Sequence, residues 1–385
     1  MTISATTAQL RTTLVGELTR QRLLTDPEWR DAFATVPREV FVPFYFEPCR
    51  GRPGWRLVES DAEWRHGVYT DEALVTQLSG DDAAIEAGRQ GECITGTPTS
   101  SSSAPSLMAA MLAALDVRDN HRVLEVGTGT GYNAALLAHR LGEDRITSIE
   151  IDNLMATRAR DALATLGYHP TVICGDGAAG MADHAPYDRL IATVALPQVP
   201  PAWLEQTHDE ARILVPLSCA GHGGLMALLS RHAGGRASGR FLSQYGGFMS
   251  VRSTRQPSPP RIRPDLLTTA RPTEVPPEAL NDGHPAAFYL SLRCRSPYQV
   301  IQFIPDDQQA ETQTWGQGID GSTFALTRTD GALKAAADGP LWNEIQTAYT
   351  EWCALGSPPR ERFGITADTR QWVWLDQPDH LITEL

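Results

Sequence analysis

The chain has 385 residues, of which 42% are hydrophobic and 21% charged, a globular composition with enough length for two domains. Its net charge of −13 argues against a nucleic-acid partner, because phosphate binding depends on clustered Lys and Arg. No apolar run approaches the length of a membrane span or the core of a signal peptide, so we expect a soluble, cytoplasmic protein without a membrane partner.

The first 115 residues predict helices around a long polar loop. Leucines recur every four residues near the N-terminus, and "TDPEW" places a proline in the first turn of a second helix. An extended apolar segment is expected over Val36–Phe46, followed by a loop from about Gly51 to Ser103. The stretch Ala104–Leu115 then has the apolar spacing of a helix.

From residue 122 onward, short apolar strands alternate with helical segments. The strands are "RVLEV", "RITSIEI", "TVIC", "YDRLIATVA", "ARILVPL" and "GLMALLS". Continuous apolar strands separated by helices are typical of a parallel, doubly wound sheet covered on both faces. The fold class expected is α/β, with a Rossmann-like sheet.

Composition divides the chain into four predicted regions. They are an N-terminal helical and loop cap (1–103), a nucleotide-binding core (104–252), a proline-rich linker (253–285) and a C-terminal accessory domain (286–385). The last region holds five of the nine tryptophans, which are more often core than binding surface. The sequence does not indicate an oligomeric state.

The six cysteines are scattered and include no CxxC pair. This spacing favours free thiols in a reducing cytosol over a disulfide framework, and it predicts no metal site. The positions are Cys49, Cys93, Cys174, Cys219, Cys294 and Cys353.

The stretch "VLEVGTGTGY" leads from a strand through a glycine turn into a helix. Glycines let the backbone approach a ligand closely. The spacing of Gly127, Gly129 and Gly131 is GxGxG, and Tyr132 stands where a dinucleotide fingerprint has its last glycine. The departure argues against a nicotinamide cofactor.

Three acids accompany the glycine turn. Glu150 ends the next strand, at the spacing of a carboxylate that binds ribose hydroxyls, and Asp176 follows the third strand, where it can accept from an adenine amino group. Glu125 precedes the turn and would attract a cation. Together they predict S-adenosylmethionine as cofactor, with S-adenosylhomocysteine as product. Taken singly, each feature also fits a tight turn or a helix cap.

Several further motifs occur in one order along the chain. They are "VPREVFVP", "YTDEAL", "SSSAPSLMAAML", "VLEVGTGTGYNAALLA", "GDGAAG" and "APYDRLIATVA". In this order they resemble the protein-L-isoaspartate O-methyltransferases over roughly residues 8–250, about two thirds of the chain. The glycine motif alone marks only the methyltransferase superfamily.

The resemblance implies roles for individual residues. Ser103 matches the serine at the junction of cofactor and substrate and is the expected catalytic residue, whereas Ser106 replaces a histidine of the family motif. The expected cofactor-binding residues are Glu125, Gly127, Thr128, Gly129, Gly131, Glu150, Asp176 and Gly177. The expected substrate-binding residues are Tyr69, Ser101, Ser102, Ser103, Val194 and Ala195.

Chemistry at a carboxylate accounts for these residue types. An aspartate side chain is ionised at neutral pH, so its methylation needs positioning rather than a general base. A hydroxyl such as that of Ser103, with backbone N–H groups, would suffice.

In length, this chain is more similar to a long-tailed branch of the family. Members of that branch accompany ATP-grasp ligases in peptide maturation. That branch implies methylation of an Asp in a ribosomally made, ring-closed peptide, and the ester then closes to an aspartimide. Repair of L-isoaspartyl residues in damaged proteins is the alternative within the family.

Two other functional classes are alternatives, a nucleic-acid methyltransferase and a non-catalytic binding module. Base-methylating enzymes carry an Asn/Asp-Pro-Pro-Tyr type segment, where this chain reads "ATVALPQVPP". A non-catalytic module that only binds S-adenosylmethionine would keep the same glycines and acids, and it stays open.

Overall fold

A computed structural model describes residues 6–59, 62–220, 222–251, 259–304, 311–329 and 331–385. Two compact units make up the chain. Unit 1 comprises Met1–Val194, Pro200–Val215 and Leu228–Ala237, and unit 2 comprises Ala195–Val199, Pro216–Ala227 and Ser238–Leu385. Unit 1 thus includes the predicted cap and most of the predicted core. The four regions expected from composition, and the three boundaries between them, stay a prediction.

Unit 1 begins with three helices, α1 (Thr7–Arg20), α2 (Pro27–Thr35) and α3 (Arg38–Phe41). The hydroxyl of Thr6 accepts from the Gln9 N–H, and the Gln9 side chain accepts from the Thr6 N–H, which is a capping box. The first two helices confirm the prediction. The extended segment expected over Val36–Phe46 is only partly correct, because α3 occupies its first half.

A four-stranded antiparallel sheet, here called the cap sheet, follows. Its strands are β1 (Phe44–Pro48), β2 (Trp55–Glu59), β3 (Leu74–Leu78) and β4 (Pro98–Ser102), in the order β2-β1-β3-β4. Two short helices interrupt them, α4 (Ala62–Val68) and α5 (Ala83–Arg89). The long loop predicted for this region is therefore wrong. The apolar residues that build the sheet core are too dispersed to form a visible period; they include Phe46, Leu78, Ala84 and Ile85.

A disulfide joins Cys49 to Cys93, so the prediction of free thiols is wrong for this pair. The two cysteines lie 44 residues apart in sequence but 6.5 Å apart at their Cα atoms. Trp55 and Ile94 exchange two backbone hydrogen bonds of 2.8 Å, which brings the segments together. Such a contact leaves no signal in cysteine spacing. Cys174, Cys219, Cys294 and Cys353 are free.

The parallel sheet of unit 1 confirms the predicted Rossmann-like arrangement. Neighbouring strands pair in parallel in the order β9-β8-β5-β6-β7. The strands are β5 (Val123–Val126), β6 (Ile146–Glu150), β7 (Thr171–Cys174), β8 (Tyr187–Ala192) and β9 (Thr207–Cys219). The helices are α6 (Pro105–Leu115), α7 (Tyr132–Leu141), α8 (Asn153–Thr165) and α9 (Pro201–Glu205). Every residue of β5 and β6 is buried, as expected for strands covered on both faces.

Strands β10 (His222–Arg231) and β11 (Ala237–Tyr245) carry the chain between the units. Unit 2 contains a five-stranded sheet in the order β12-β16-β15-β14-β13, and antiparallel strands β17, β18 and β19. The bounds are β12 (Arg271–Pro272), β13 (Tyr298–Phe303), β14 (Gln313–Gly318), β15 (Thr323–Thr329), β16 (Ala332–Asp338), β17 (Phe363–Ala367), β18 (Gln371–Leu375), β19 (Leu381–Glu384), α10 (Pro285–Arg293) and α11 (Leu341–Ala354).

The tryptophans of unit 2 are mainly core residues. Trp315 packs with Leu266, Ala325 and Ala336 in one buried cluster. Trp342, Trp352 and Trp374 are also buried. Of the predicted linker, residues 253–258 lie outside the described residues. Among the helices that the structure describes, none combines the length and apolarity needed to cross a membrane.

Candidate functional site

The glycine turn, Gly127–Gly131, lies at the carboxyl end of β5. Its three glycines have φ values of +96°, +53° and +90°, a region that side-chain-bearing residues rarely adopt. A Cβ on Gly127 would lie 2.7 Å from the Thr193 hydroxyl oxygen, so the first glycine is also required by space. Its N–H donates to the Ile149 carbonyl at 2.8 Å, which ties the turn to β6.

Glu150 ends β6 and faces the same turn. One carboxylate oxygen accepts from the Gly129 N–H at 2.8 Å, and the other accepts from the Asp152 N–H at 3.0 Å. A carboxylate has about four acceptor positions, so each oxygen keeps one for a further donor. The residues present therefore fit a pair of ribose hydroxyls, as the sequence predicts.

Glu125 is fully buried beneath the turn. Its oxygens accept from the Asn133 amide at 2.7 Å and from the Ser148 hydroxyl at 2.5 Å, and the Ser148 oxygen lies 2.6 Å from the Thr128 hydroxyl. Burial raises the pKa of Glu125 to about 7, against the opposing effect of the two hydrogen bonds. The predicted contacts of Glu125 and Thr128 with the cofactor stay predictions. The hydrogen bonds connect the buried Glu125 carboxylate, through the Ser148 hydroxyl, to Thr128 within the turn.

Asp176 and Gly177 follow β7. Asp176 is exposed, and one of its oxygens accepts from the Ala178 N–H at 2.9 Å, which leaves the other for a ligand. Gly177 has no room for a side chain, since a Cβ there would lie 2.3 Å from a methyl carbon of Val126. The two residues thus stand at the edge where an adenine was predicted, next to the strand that leads into the glycine turn.

The serine run, Ser100–Ser103, has its first three residues in β4 rather than in a loop, and Ser103 directly follows the strand. This strand passes the glycine turn closely, because a Cβ on Gly129 would lie 3.5 Å from the Ser101 carbonyl oxygen. Ser102 is buried and Ser103 half-buried. Within the described part of the chain, no hydrogen bond joins the Ser103 hydroxyl to another residue. The predicted substrate and cofactor segments are therefore adjacent, and Ser103 has its hydroxyl available.

Arg38, at the start of α3, organises this segment, although the sequence alone indicates no role for it. Its fully buried guanidinium donates to the Ser103 carbonyl at 3.0 Å and to the Ser102 carbonyl and hydroxyl, each at 3.3 Å. It also donates to carbonyls of Val68, Thr70 and Glu72. An arginine within "VPREVFVP" carries no signal of burial, so only the fold identifies it.

Other predicted substrate residues are engaged within the protein. The Tyr69 ring is buried and its hydroxyl donates to Glu39, which together with burial raises the pKa of that phenol. Val194 is a half-buried residue of unit 1. Ala195, in unit 2, is buried and exchanges backbone hydrogen bonds with Met249 and Val251. Substrate roles for these three residues stay predictions.

Sequence comparisons agree with this geometry. Residues 62–243 match the family model described as Protein-L-isoaspartate(D-aspartate) O-methyltransferase (PCMT). The protein-L-isoaspartate O-methyltransferase of Ignicoccus hospitalis is 34% identical over 206 residues, covering 53% of this chain and 80% of the relative. Protein-L-isoaspartate O-methyltransferase 2 of Archaeoglobus fulgidus is 35% identical over 205 residues, covering 53% of this chain and 76% of the relative.

A solved structure of a protein-L-isoaspartate O-methyltransferase is similar in fold. It is 20% identical, with a TM-score of 0.51, and the match covers 93% of this chain and 96% of that one. Residues 1–285 are about 74% of the 385 residues, so this match includes part of the C-terminal region. From the relatives' identity and coverage, the chain belongs to the protein-L-isoaspartate O-methyltransferase family, whose members are S-adenosylmethionine-dependent carboxyl O-methyltransferases.

Proposed function

We propose that the chain methylates an aspartate side chain in a ribosomally made, ring-closed peptide, and that the ester closes to an aspartimide. The observation behind this proposal is the approach of β4 to the glycine turn, where a Cβ on Gly129 would lie 3.5 Å from the Ser101 carbonyl oxygen, two residues before Ser103. S-adenosylmethionine supplies a methyl group on a sulfonium. Glu150, Asp176 and the glycine turn would hold it.

The protein's task in this reaction is positioning. The acceptor carboxylate is ionised at neutral pH and needs no base, so a correctly placed hydroxyl that donates to one carboxylate oxygen leaves the other free to react. We expect Ser103 to provide that hydroxyl, and Arg38 binds its backbone carbonyl. Once the ester exists, methoxide is a far better leaving group than oxide. The following backbone nitrogen can then close the five-membered imide, most readily in a peptide whose ring restricts its conformation.

Ser106 is a departure of this chain from the family motif. It stands where the family motif has histidine, and its N–H donates to Asp71 at 2.8 Å. The size of unit 2 does not separate the candidates, because the similar solved protein-L-isoaspartate O-methyltransferase covers 93% of this chain.

Repair of isoaspartyl residues is the second candidate, and the names of the relatives favour it. Both candidates give the same imide, so the product does not distinguish them. The acceptor does.

Four peptides of one sequence test the acceptor, with Asp or isoAsp at one position in linear and ring-closed forms. Each is incubated with enzyme and cofactor, and methyl ester and imide are measured by mass spectrometry. We expect the ring-closed Asp peptide to react fastest, with an Asn peptide as the inert control. Preference for isoAsp in both forms would establish the repair reaction instead. Absence of methyl transfer to all four, with intact cofactor binding, would favour the non-catalytic module.

Ser103→Ala tests the hydroxyl. We expect single-turnover methylation to slow about 10-fold, the value of one hydrogen bond to a charged group, while cofactor affinity is unchanged. Ser106→Ala is the matched control from the same segment, and its rate should equal that of the parent. An unchanged rate in Ser103→Ala would remove this residue from the mechanism.

A further inference from the structure

The guanidinium of Arg38 is buried, yet none of its hydrogen bonds goes to a carboxylate. Its six hydrogen bonds go to five main-chain carbonyls and one hydroxyl. None of the ion pairs among the described residues includes it. Burying a cation is costly when no carboxylate accepts a hydrogen bond from it. An apolar side chain of similar volume would often stabilise the fold equally well. This arrangement therefore calls for a reason beyond packing.

The carbonyls that Arg38 binds belong to two segments that meet at the predicted acceptor site. Residues 68–72 supply three carbonyls, and Asp71 within them accepts from the Ser106 N–H. Residues 102–103 supply the other two. One planar fork with five N–H donors fixes both segments, a geometry that a lysine cannot reproduce.

We propose that Arg38 is a positioning residue for methyl transfer, because it sets the backbone of Ser103 and supplies the positive charge behind the acceptor carboxylate. The inference rests on the proposed carboxyl methylation. Burial lowers the pKa of Arg38 to about 10, so the side chain stays charged at neutral pH. The groups whose charges act on it are Asp71, Tyr69 and Tyr132.

The test compares Arg38→Lys with Arg189→Lys. Arg189 is a matched control, since it is also buried in unit 1 and also donates only to main-chain carbonyls, those of Leu115, Asp116 and Asp188. Its partners lie outside the serine run. For parent and variants, calorimetry gives S-adenosylhomocysteine affinity and stoichiometry, and kcat and KM are measured on the best peptide acceptor per mole of binding-competent protein.

We expect kcat of Arg38→Lys to fall about 10- to 100-fold, because a displacement of about 1 Å at the reacting groups has this effect. S-adenosylhomocysteine affinity should stay within about twofold of the parent, since the donors of Arg38 do not reach the glycine turn. Arg189→Lys should retain kcat. This split between kcat and cofactor affinity would not arise from a general loss of folded protein.

Three results would overturn the inference. One is a parental kcat in Arg38→Lys. Another is an equal fall of kcat in the two variants. The third is loss of S-adenosylhomocysteine binding in Arg38→Lys alone, which would assign Arg38 to the stability of the whole unit. If the parent itself methylates no peptide, the proposed function fails, and that result is separate from any effect of Arg38.

Discussion

The cap sheet and the parallel sheet both contribute to the candidate site, but their contacts differ in range along the chain. Around the glycine turn, Glu150 and Gly129 are 21 residues apart, and Glu125 and Asn133 are 8 apart. In the cap, Arg38 reaches Ser102 over 64 residues, and the disulfide spans 44. The core site follows from consecutive strand–turn–helix units. The contacts of Arg38 and the disulfide form only after distant segments of the cap have folded together.

Removing the disulfide of the cap is the change with the largest expected effect on stability. Replacing Cys49 and Cys93 together with serine should lower the free energy of unfolding by about 3 kcal/mol, because the unfolded chain loses the constraint of a long closed loop. Thermal unfolding with and without a reducing agent checks this. The reducing agent should lower the Tm of the parent but not that of the double variant.

Cys174→Ser is the control, since this thiol is exposed and unpaired. Its Tm should match that of the parent under both conditions. An equal response of the parent and the double variant to reduction would show that the crosslink does not stabilise the cap.

Glu150→Ala should have the next largest effect, and it acts on the core side. We expect S-adenosylhomocysteine to bind about 100-fold more weakly, because the ribose loses two acceptors and the Gly129 N–H loses its partner. Isothermal calorimetry measures this directly. Ser103→Ala serves as the comparison from the acceptor side and should bind normally. Parental affinity in Glu150→Ala would refute the ribose assignment.

The sequence allowed the core and its cofactor turn to be predicted for a physical reason. Strands β5 and β6 are buried along their whole length, which favours apolar residues, and the turn needs glycines at positive φ. Both requirements act on neighbouring residues. The positions of Gly127, Glu150 and Asp176 at the carboxyl ends of adjacent strands are thus predictable from the sequence.

The cap could not be predicted in the same way. Its strands are five residues long, and the cluster of Phe46, Leu78 and Ile85 draws on three separate elements. Arg38 looks like a surface residue in sequence, because its partners are carbonyls, which every residue has. Interactions with main-chain atoms leave no side-chain pattern to detect.

Gly177→Ala tests how closely the core is packed at the cofactor edge. The new methyl would lie 2.3 Å from a Val126 methyl carbon, so we expect about 2 kcal/mol of destabilisation from overpacking. Gly175→Ala is a matched control two residues away, because its Cβ would lie 4.0 Å from the nearest side-chain atom. Denaturant unfolding of both variants gives the comparison, and equal midpoints would contradict it.

Glu125→Gln should give the smallest effect, and one that depends on pH. Because the folded pKa of about 7 lies above the ordinary 4.5, the folded parent binds more protons between these values and loses stability as pH rises through them. Glutamine carries no charge and avoids that loss. The Tm of the variant relative to the parent should therefore rise by a few degrees from pH 5 to pH 8. A constant difference would show that Glu125 ionises as freely as an exposed carboxyl.

Asp152 connects the cap sheet to Glu150 through hydrogen bonds. One of its oxygens caps α8 through the Leu154 and Met155 N–H groups, the other accepts from Gln77 of the cap sheet at 3.2 Å, and its own N–H donates to Glu150. We expect a shift of the cap sheet at Gln77 to reach the Glu150 carboxylate through this one residue. If Glu150 binds the ribose as predicted, cofactor binding and a shift of the cap sheet would be thermodynamically linked, with equal coupling in both directions.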